Sequence, residues 1–245
     1  MYFILEQLIR VKYSKDEPIR YISHLNLVQV FTRALRRANL PVVISCGFNP
    51  RFRISFGPPL PLGISSSSEY LDIRLKERIK TEDLVGRLNR VLPEGLKILE
   101  AKIIPSSADS LVKVIDKASY WINLKSRGSL LNLEDDQGES KLKELVKEID
   151  KDIKIFLRLE EIMVEKSTKK GVKRMDIKPS ILNMSVKKIQ HQFLELNLGL
   201  NIGQEGNLNP QYVIKAWLSH FGNNFEIKKI CRYGLYIKGK EVIED

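Results

Sequence analysis

The chain has 245 residues, 43% of them hydrophobic, and this length suits one large domain or two domains of about 100–125 residues each. Its formal net charge of +11 predicts a polyanionic partner. The only cysteines, Cys46 and Cys231, are too far apart in sequence to form a zinc knuckle or an iron–sulfur ligand set. The apolar N-terminus is interrupted by charges, and no segment approaches about 18 consecutive apolar residues. We therefore expect a cytoplasmic protein without signal peptide, membrane span, metal or other cofactor.

The first half of the chain predicts the element order βαββαβ. In the first strand, Ile9, Val11 and Tyr13 fall on one face and Arg10 and Lys12 on the other. The predicted elements are strands over 4–13, 42–45, 69–76 and 96–104, a helix that Ser23 caps and that runs to about Ala38, a helix that Thr81 caps, and a Gly/Pro-rich excursion over 47–63 with a β-like segment at 53–56.

The second half predicts the same order. Its predicted elements are strands over 120–125, 153–166, 193–200 and 227–238, a helix over 139–149, and a helix opened by Asn209 as N-cap and Pro210. A Ser/Pro stretch over 105–109 marks the boundary between predicted domains at 1–105 and 106–245. Two such halves predict an α+β fold of two tandem ferredoxin-like domains, packed with a basic cleft between or across them.

Positive charge is concentrated in two windows of the sequence. Between Pro18 and Ser68 there is no Asp or Glu but there are six arginines: Arg20, Arg33, Arg36, Arg37, Arg51 and Arg53. The window 163–192 holds eight basic residues against two acidic ones. Because a guanidinium can grip phosphate in a bidentate fork, the arginine-rich window favours nucleic acid as the partner.

The segment Arg20-Tyr21-Ile22-Ser23-His24 lies where the first strand leads into the first helix. A helix N-terminus carries partial positive charge and free N–H groups, so Arg20, Ser23 and His24 together form a candidate site for a phosphate or a carboxylate. The alternative is that Ser23 is only a cap and His24 only a surface residue.

The segment over 45–56, SCGFNPRFRISF, interleaves charge with aromatic rings. Arg51 and Arg53 can neutralise phosphates, while Phe48 or Phe52 can stack on a base, which is what single-stranded nucleic acid requires. The alternative is a β-excursion whose phenylalanines belong to the core, and we expect at least one or two of Phe48, Phe52 and Phe56 to be buried.

The segment over 166–179, KSTKKGVKRMDIKP, predicts a basic hairpin or loop. Lys169, Lys170, Lys173 and Arg174 would extend a phosphate-binding track, unless the run is simply a solvated surface loop. Asp176 looks buried and is a candidate catalytic carboxylate, although we favour it as a salt-bridge partner of its basic neighbours.

Several consecutive motifs resemble a known bacterial family. The runs R-Y-I-S-H-L-N-L, R-A-L-R-R-A-N-L-P, S-C-G-F-N-P-R-F-R-I-S-F-G-P-P-L-P-L-G and E-Y-L-D, followed later by K-K-G-V-K-R-M-D-I-K-P, resemble the radical-SAM-linked protein family. The resemblance implies a domain found alone or fused behind a B12-binding radical SAM enzyme. Asn26 stands where that family commonly has Asp. Since the chain has no CxxxCxxC motif, it is not itself the radical enzyme.

Three functional hypotheses remain open from the sequence. The leading one is an RNA-binding accessory or substrate-recognition protein for rRNA or tRNA, acting beside a radical SAM or RNA-processing enzyme. In the second, the chain is itself a metal-independent RNA-processing or RNA-modifying enzyme, with His24 as general acid/base beside Ser23 and Arg20. The third is a protein adaptor that docks an acidic surface of a radical SAM partner.

Overall fold

The computed structural model describes residues 6–128, 138–168, 171–203, 206–222 and 225–243. These residues form a mixed α/β fold with five α-helices and a large β-sheet. The chain divides into two compact units. Unit 1 comprises Met1–Asp116, Gly203–Glu205 and Arg232–Asp245, and unit 2 comprises Lys117–Ile202 and Gly206–Cys231.

Unit 1 is built around a central antiparallel strand. Its elements in chain order are β1 (Gln7–Lys15), α1 (His24–Arg37), β2 (Ile54–Phe56), β3 (Ser65–Leu75), α2 (Thr81–Asn89), β4 (Leu96–Ile104) and the short α3 (Leu111–Val114). β1 pairs antiparallel with β3 and with β4, and β2 pairs antiparallel with β3. The strand order is therefore β4-β1-β3-β2, and the bounds of β4 are those that the sequence predicts.

Both faces of β1 are buried. Val11 and Tyr13 belong to the apolar core that α1 and α2 cover, which the alternation of the sequence indicates. On the other face Arg10 is only 6% exposed. Its guanidinium donates to both carboxylate oxygens of Asp72 on β3, at 2.8 and 3.1 Å. A charged residue is tolerated there because a bidentate partner replaces the lost water.

Unit 2 contains a second set of strands and helices. In chain order these are β5 (Lys117–Ser126), α4 (Gly138–Arg158), β6 (Met163–Thr168), β7 (Gly171–Asp176), β8 (Ile181–Gln190), β9 (Phe193–Gly203), β10 (Gly206–Asn207), α5 (Pro210–Phe221) and β11 (Phe225–Ile237). β9 pairs antiparallel with β5 and with β8, and β5 also neighbours β11. β6 and β7 form a separate two-stranded antiparallel sheet.

The predicted elements of unit 2 are wrong over residues 153–158 and omit β8. Residues 153–158, predicted as a strand, are helical, because Ile149, Ile153 and Phe156 are all buried and continue the helical spacing of α4. β8 was not predicted at all. Its pairing with β9 is interrupted by irregularities at Ile181/Asn183 and Val186/Lys188, which break the alternation that identifies a strand.

Residues at the end of the chain complete the sheet of unit 1. The part of β11 from Arg232 onward belongs to that unit, where β11 neighbours β3. A last short strand, β12 (Lys240–Glu241), pairs antiparallel with β11. Lys12 of β1 donates a hydrogen bond of 2.9 Å to Glu241, which attaches the C-terminal segment to the centre of unit 1.

The helix starts follow the predicted caps at two of three positions. Ser23 Oγ accepts from the N–H of Asn26 at 3.2 Å, and Asn209 Oδ1 accepts from the N–H of Gln211 at 3.0 Å. At α2 the N-cap is Lys80, and Thr81 is the first helical residue, so the predicted cap lies one position too late.

Candidate nucleic-acid interface

The arginine- and phenylalanine-rich segment of unit 1 forms a narrow hairpin, here called the Phe48 hairpin (residues 43–53). The N–H of Ser45 donates to the carbonyl of Arg51 and the N–H of Arg53 donates to the carbonyl of Val43, both at 2.8 Å. The predicted strand over 42–45 is present only as isolated bridges. At the tip, Gly47 has φ of +122°, which L-residues rarely adopt, so the turn requires glycine there.

The three phenylalanines of this segment have three different environments. Phe56 is buried in the core and makes edge contacts with Tyr13 and Phe31. Phe52 is half-buried, and the guanidinium carbon of Arg36 lies 5.4 Å from its ring centroid. Phe48 at the tip is fully exposed, with a relative accessibility of 107%. The expectation that one or two of them are buried is confirmed, and Phe48 is the one that is free to contact a ligand.

A groove of about 550 Å³ separates α1 from the Phe48 hairpin; we call it the α1 groove. Its helical wall follows one stripe of α1, and its other wall comes from the hairpin and the start of β2. The lining residues are Leu25, Val28, Gln29, Thr32 and Arg36 from α1 and Pro50, Arg51, Phe52 and Ile54 from the opposite wall. No residue that lines the groove is acidic.

The structure distributes the predicted phosphate-binding arginines over three places. Arg36 and Arg51 line the α1 groove. Arg33 and Arg37 are exposed on α1 but do not line it. Arg53 is exposed and lines a separate groove of about 310 Å³ together with Asp72 and Arg74. Of the six arginines in the acid-free window, the structure therefore brings only two into one groove.

Five of the six arginines, all except Arg20, have no acidic partner among the described residues. Within the part of the chain that the structure describes, none of Arg33, Arg36, Arg37, Arg51 and Arg53 forms an ion pair. The acids that follow the acid-free window are unavailable, because Glu69 and Asp72 are each only 5% exposed and already paired. The charge of the five arginines is therefore not neutralised by an ion pair within the described residues.

A buried ionic cluster lies beneath the chain that leads into α1. Arg232 is fully buried, and its Nε donates to Glu69 Oε1 at 2.7 Å while Nη2 donates to the carbonyl of Pro58 at 3.0 Å. Lys15, only 2% exposed, belongs to the same cluster. Burial lowers the pKa of Lys15, the Glu69 carboxylate opposes this shift, and Arg232 adds to it.

Lys15 fixes the backbone of the Arg20–His24 segment. Its Nζ donates to the carbonyl oxygens of Arg20 and Ile22, at 3.1 and 3.0 Å. The N–H of Gly63 donates to the same Arg20 carbonyl at 3.0 Å. A buried ammonium therefore sets the position from which α1 begins. Nothing in the residue spacing of the sequence indicates this role, since Lys15 reads as an ordinary strand-end lysine.

The side chains of the Arg20–His24 segment are engaged to different degrees. Arg20 pairs with Glu17 and donates to the Tyr21 hydroxyl at 3.1 Å. The hydrogen bond to Tyr21 and the Glu17 charge raise the pKa of Arg20.

Ser23 accepts the capping hydrogen bond of α1, which agrees with the alternative that Ser23 is a helix cap. His24 is exposed, and its ring meets Phe56 edge-on at 5.4 Å. Of the three catalytic candidates, His24 is the one classed as exposed, and a catalytic role for it stays a prediction.

The basic segment of unit 2 is a hairpin made by β6 and β7. Lys173 and Arg174 are exposed on β7, and Arg174 Nε forms an exposed ion pair with Glu165 at 3.2 Å. Lys169 and Lys170 lie outside the described residues. Asp176 is exposed, contrary to prediction, and its Oδ1 accepts from the backbone N–H groups of Ile162 and Lys178 at 2.8 and 2.9 Å. This carboxylate closes a turn.

Among the described residues, no group of His, Cys, Asp and Glu side chains has the arrangement of a metal site. Cys46 is exposed and Cys231 is half-buried. No helix in the described part of the chain is both long and apolar enough to cross a membrane.

The chain belongs to a family described as uncharacterized proteins conserved in bacteria, DUF2344, whose sequence model matches residues 8–210. That match covers α1, the Phe48 hairpin and the β6–β7 hairpin. A search of curated proteins finds no match.

Several solved structures show weak similarity to this chain. A Cbf5-Nop10-Gar1 complex matches with a TM-score of 0.47 and 10% identity over 92% of this chain and 47% of the matched chain. An H/ACA RNP bound to a substrate RNA containing 2'-deoxyuridine matches with a TM-score of 0.42 and 8% identity over 92% and 46%. An archaeal box H/ACA sRNP Nop10-Cbf5 complex matches with 0.41 and 11% over 94% and 47%. This chain spans about half the length of each, and likeness at this level assigns no function.

Proposed function

We propose that this protein binds single-stranded RNA, with unit 1 holding the strand along the α1 groove and on the tip of the Phe48 hairpin. The observation that carries the proposal is a set of five exposed arginines that form no ion pair with any described residue, two of which line a groove without acidic residues. Exposed cations on one unit without ion pairs to its described residues repel one another, and a polyanion is the ligand that relieves this repulsion.

Aromatic exposure favours an unpaired strand over a duplex. Phe48 is a large ring held fully in water at the tip of a hairpin whose turn is fixed by Gly47. Such a ring can stack on an unpaired base, at about 1–3 kcal/mol per base, but gains little from a phosphate backbone. Arg33, Arg36, Arg37, Arg51 and Arg53 supply the phosphate contacts in this proposal. In unit 2 we assign further phosphate contacts to the exposed Lys173 and Arg174 and to Lys169 and Lys170 of the same basic sequence segment.

The biological setting of the proposal comes from the sequence resemblance. We propose that the protein acts in the cytoplasm as an accessory or substrate-recognition factor, presenting rRNA or tRNA to a radical SAM or RNA-processing enzyme. A pull-down from nuclease-treated lysate tests the association with such an enzyme. If the enzyme remains bound after RNA is digested, the association is supported; if the protein contacts only RNA, no enzyme is recovered.

A second candidate function is RNA processing by the chain itself. It is favoured by the position of His24, which is exposed at the start of α1 while Lys15 holds the preceding backbone. In this alternative His24 acts as general acid/base on a phosphate near Arg20 and Ser23. Cleavage or modification of RNA by the isolated chain, abolished in His24→Ala, would establish it.

We also propose that both units are variants of the βαββαβ arrangement. In unit 1 the order β4-β1-β3-β2 supports this, and in unit 2 the order β11-β5-β9-β8 does so once the β6–β7 hairpin is treated as an insertion. An experimental structure in which each unit has four antiparallel strands with two helices on one face would test the proposal.

The direct test of RNA binding is ultraviolet crosslinking of RNA that copurifies with the protein at low salt. We expect enrichment of one rRNA or tRNA region, with crosslinked peptides covering Phe48 and the residues that line the α1 groove. Recovery of no RNA, or crosslinks confined to peptides elsewhere in unit 1 such as α2, would overturn the assignment.

A further inference from the structure

We infer that the α1 groove is a pocket for one unpaired nucleobase, and that Gln29 is the residue that reads its edge. This inference rests on the proposed RNA binding and specifies it further, since phosphate contacts alone carry no sequence information. It concerns residues that the charge pattern of the sequence does not identify: Leu25, Val28 and Gln29 lie between the arginines of α1 and the Arg20–His24 segment.

The walls of the groove suit a flat apolar ring. Leu25, Val28 and Ile54 supply aliphatic surface from both sides, and Leu25 is 75% exposed despite its size. The groove volume of about 550 Å³ falls within the roughly 300–1,000 Å³ typical of small-ligand pockets. A large apolar side chain left in water beside such a cavity gains free energy when a ligand covers it.

One side of the groove offers a stacking surface. The guanidinium carbon of Arg36 lies 5.4 Å from the centroid of the Phe52 ring, a cation–π contact that places the guanidinium beside the groove. Unpaired bases stack on guanidinium planes as well as on aromatic rings. Arg36 can therefore stack against the base while Arg51 on the opposite wall contacts the adjoining phosphate.

Gln29 provides the hydrogen-bonding group of the pocket. It is exposed, it lines the groove, and within the described part of the chain its amide makes no hydrogen bond to protein. An amide presents a donor and an acceptor side by side, as a base edge does. The only other uncharged polar side chain in the lining, Thr32, already donates its hydroxyl to the carbonyl of Val28 at 2.7 Å. Base discrimination is thus assigned to Gln29.

The charge of the lining decides between possible occupants. Arg36 and Arg51 are the charged residues of the lining, so the occupant carries negative charge next to a flat apolar group. A nucleotide in a single strand has both features in one unit, whereas an acidic peptide has the charge without the flat ring. We therefore assign the groove to a nucleotide and treat a peptide as a result that would overturn the assignment.

The test compares short single-stranded RNAs of equal length that differ at one central nucleotide: each of the four bases, or an abasic site. Fluorescence anisotropy would measure their affinity for the full chain, for Gln29→Ala and for the matched control Gln190→Ala, an exposed glutamine of unit 2. We expect the abasic site to weaken wild-type binding about fivefold or more. Gln29→Ala should abolish the preference among bases without changing the salt dependence, and Gln190→Ala should change neither.

The failure of this inference is distinguishable from the failure of RNA binding. Equal affinity for abasic and intact strands, or an unchanged base preference in Gln29→Ala, overturns the base pocket while salt-dependent RNA binding persists. Absence of RNA binding together with capture of a poly-glutamate peptide by the wild type, and its loss in Arg36→Gln, overturns both. Far-UV circular dichroism and the thermal midpoint of each variant exclude misfolding as the cause.

Discussion

The arginines of unit 1 occupy two contrasting environments. Arg10 and Arg232 are 6% and 0% exposed, and each is held by the carboxylate of a neighbouring strand. Arg36 and Arg51 are exposed beside the α1 groove and form no ion pair with any described residue. The two groups differ in what the fold requires of them: a buried charge must be paired to be tolerated, whereas an exposed charge needs no partner.

The contrast shows how to separate structural from functional arginines in one chain. Removing a partner from the buried group should lower the free energy of unfolding strongly, since it leaves an uncompensated charge in the interior. Removing members of the exposed group should leave stability unchanged or raise it slightly, because it relieves like-charge repulsion. The effect of these exposed substitutions should instead be on binding.

The largest expected effect is on the buried pair of Glu69 and Arg232. Glu69→Gln leaves Arg232 and Lys15 buried without their carboxylate, and we expect the free energy of unfolding to fall by about 3–5 kcal/mol. Urea denaturation monitored by circular dichroism measures this. Combining Glu69→Gln with Arg232→Met should cost less than the sum of the single changes, because the pair is then removed together. A loss of less than about 1 kcal/mol in Glu69→Gln would contradict the claim that the buried arginines depend on their carboxylate partners for stability.

The next effect is on RNA affinity at the groove. In Arg36→Gln combined with Arg51→Gln, two charge-assisted contacts are lost, and we expect affinity for single-stranded RNA to fall about 100-fold. The matched control is Arg87→Gln, which removes an exposed arginine from α2 in the same unit. Anisotropy titrations at fixed salt measure both variants. If Arg87→Gln, which removes one charge, loses half as much binding free energy as the double variant, which removes two, only net charge matters.

A smaller effect is expected at the hairpin tip. Phe48→Ala removes a fully exposed ring, so the free energy of unfolding should change by no more than about 0.5 kcal/mol. RNA binding should weaken by about 1–3 kcal/mol because one stacked base is lost. Phe48→Trp, which keeps a flat ring, should retain the affinity. If Phe48→Ala destabilises the fold instead, the ring belongs to the structural group of residues.

The smallest effect concerns how the free energy of unfolding changes with pH at alkaline pH. Burial and the nearby Glu69 charge raise the pKa of Tyr13 well above its ordinary value of 10.0. As the pH rises above that value, the unfolded state loses a proton that the folded state keeps, so the free energy of unfolding falls. We expect a shallower decline above pH 10 in Tyr13→Phe. Urea midpoints between neutral and alkaline pH test this, and identical curves for the two proteins would contradict it.

Elements with regular periodicity were predictable from the sequence. β4 and the start of α1 were found because their alternation and the Ser23 cap are local signals. Residues 153–158 were misassigned because an apolar, isoleucine-containing run fits a buried strand as well as a helix, and only packing decides. β8 is not predictable from alternation because two irregularities shift its register against β9.

The candidate site was only partly predictable. The acid-free arginine window follows from composition, whereas the exposure of Phe48 comes from the structure alone. The role of Lys15 was also not predictable, because its partners are backbone carbonyls. The separation of Arg53 from Arg36 and Arg51 depends on which side of the Phe48 hairpin each side chain takes. Likewise, the sequence does not identify Gln29 as a binding residue, because the groove that it lines forms only when α1 and the Phe48 hairpin come together.

The most direct test of the central claim is the salt dependence of single-stranded RNA binding, measured for the wild type, the Arg36→Gln, Arg51→Gln double variant and the Arg87→Gln control. We predict a steep linear fall of log affinity with log salt for the wild type, shallower by about 0.7 for each arginine removed from the groove. Arg87→Gln should retain the wild-type slope. A wild-type slope near zero, or the same slope in all three proteins, would contradict the assignment of the groove arginines to phosphate.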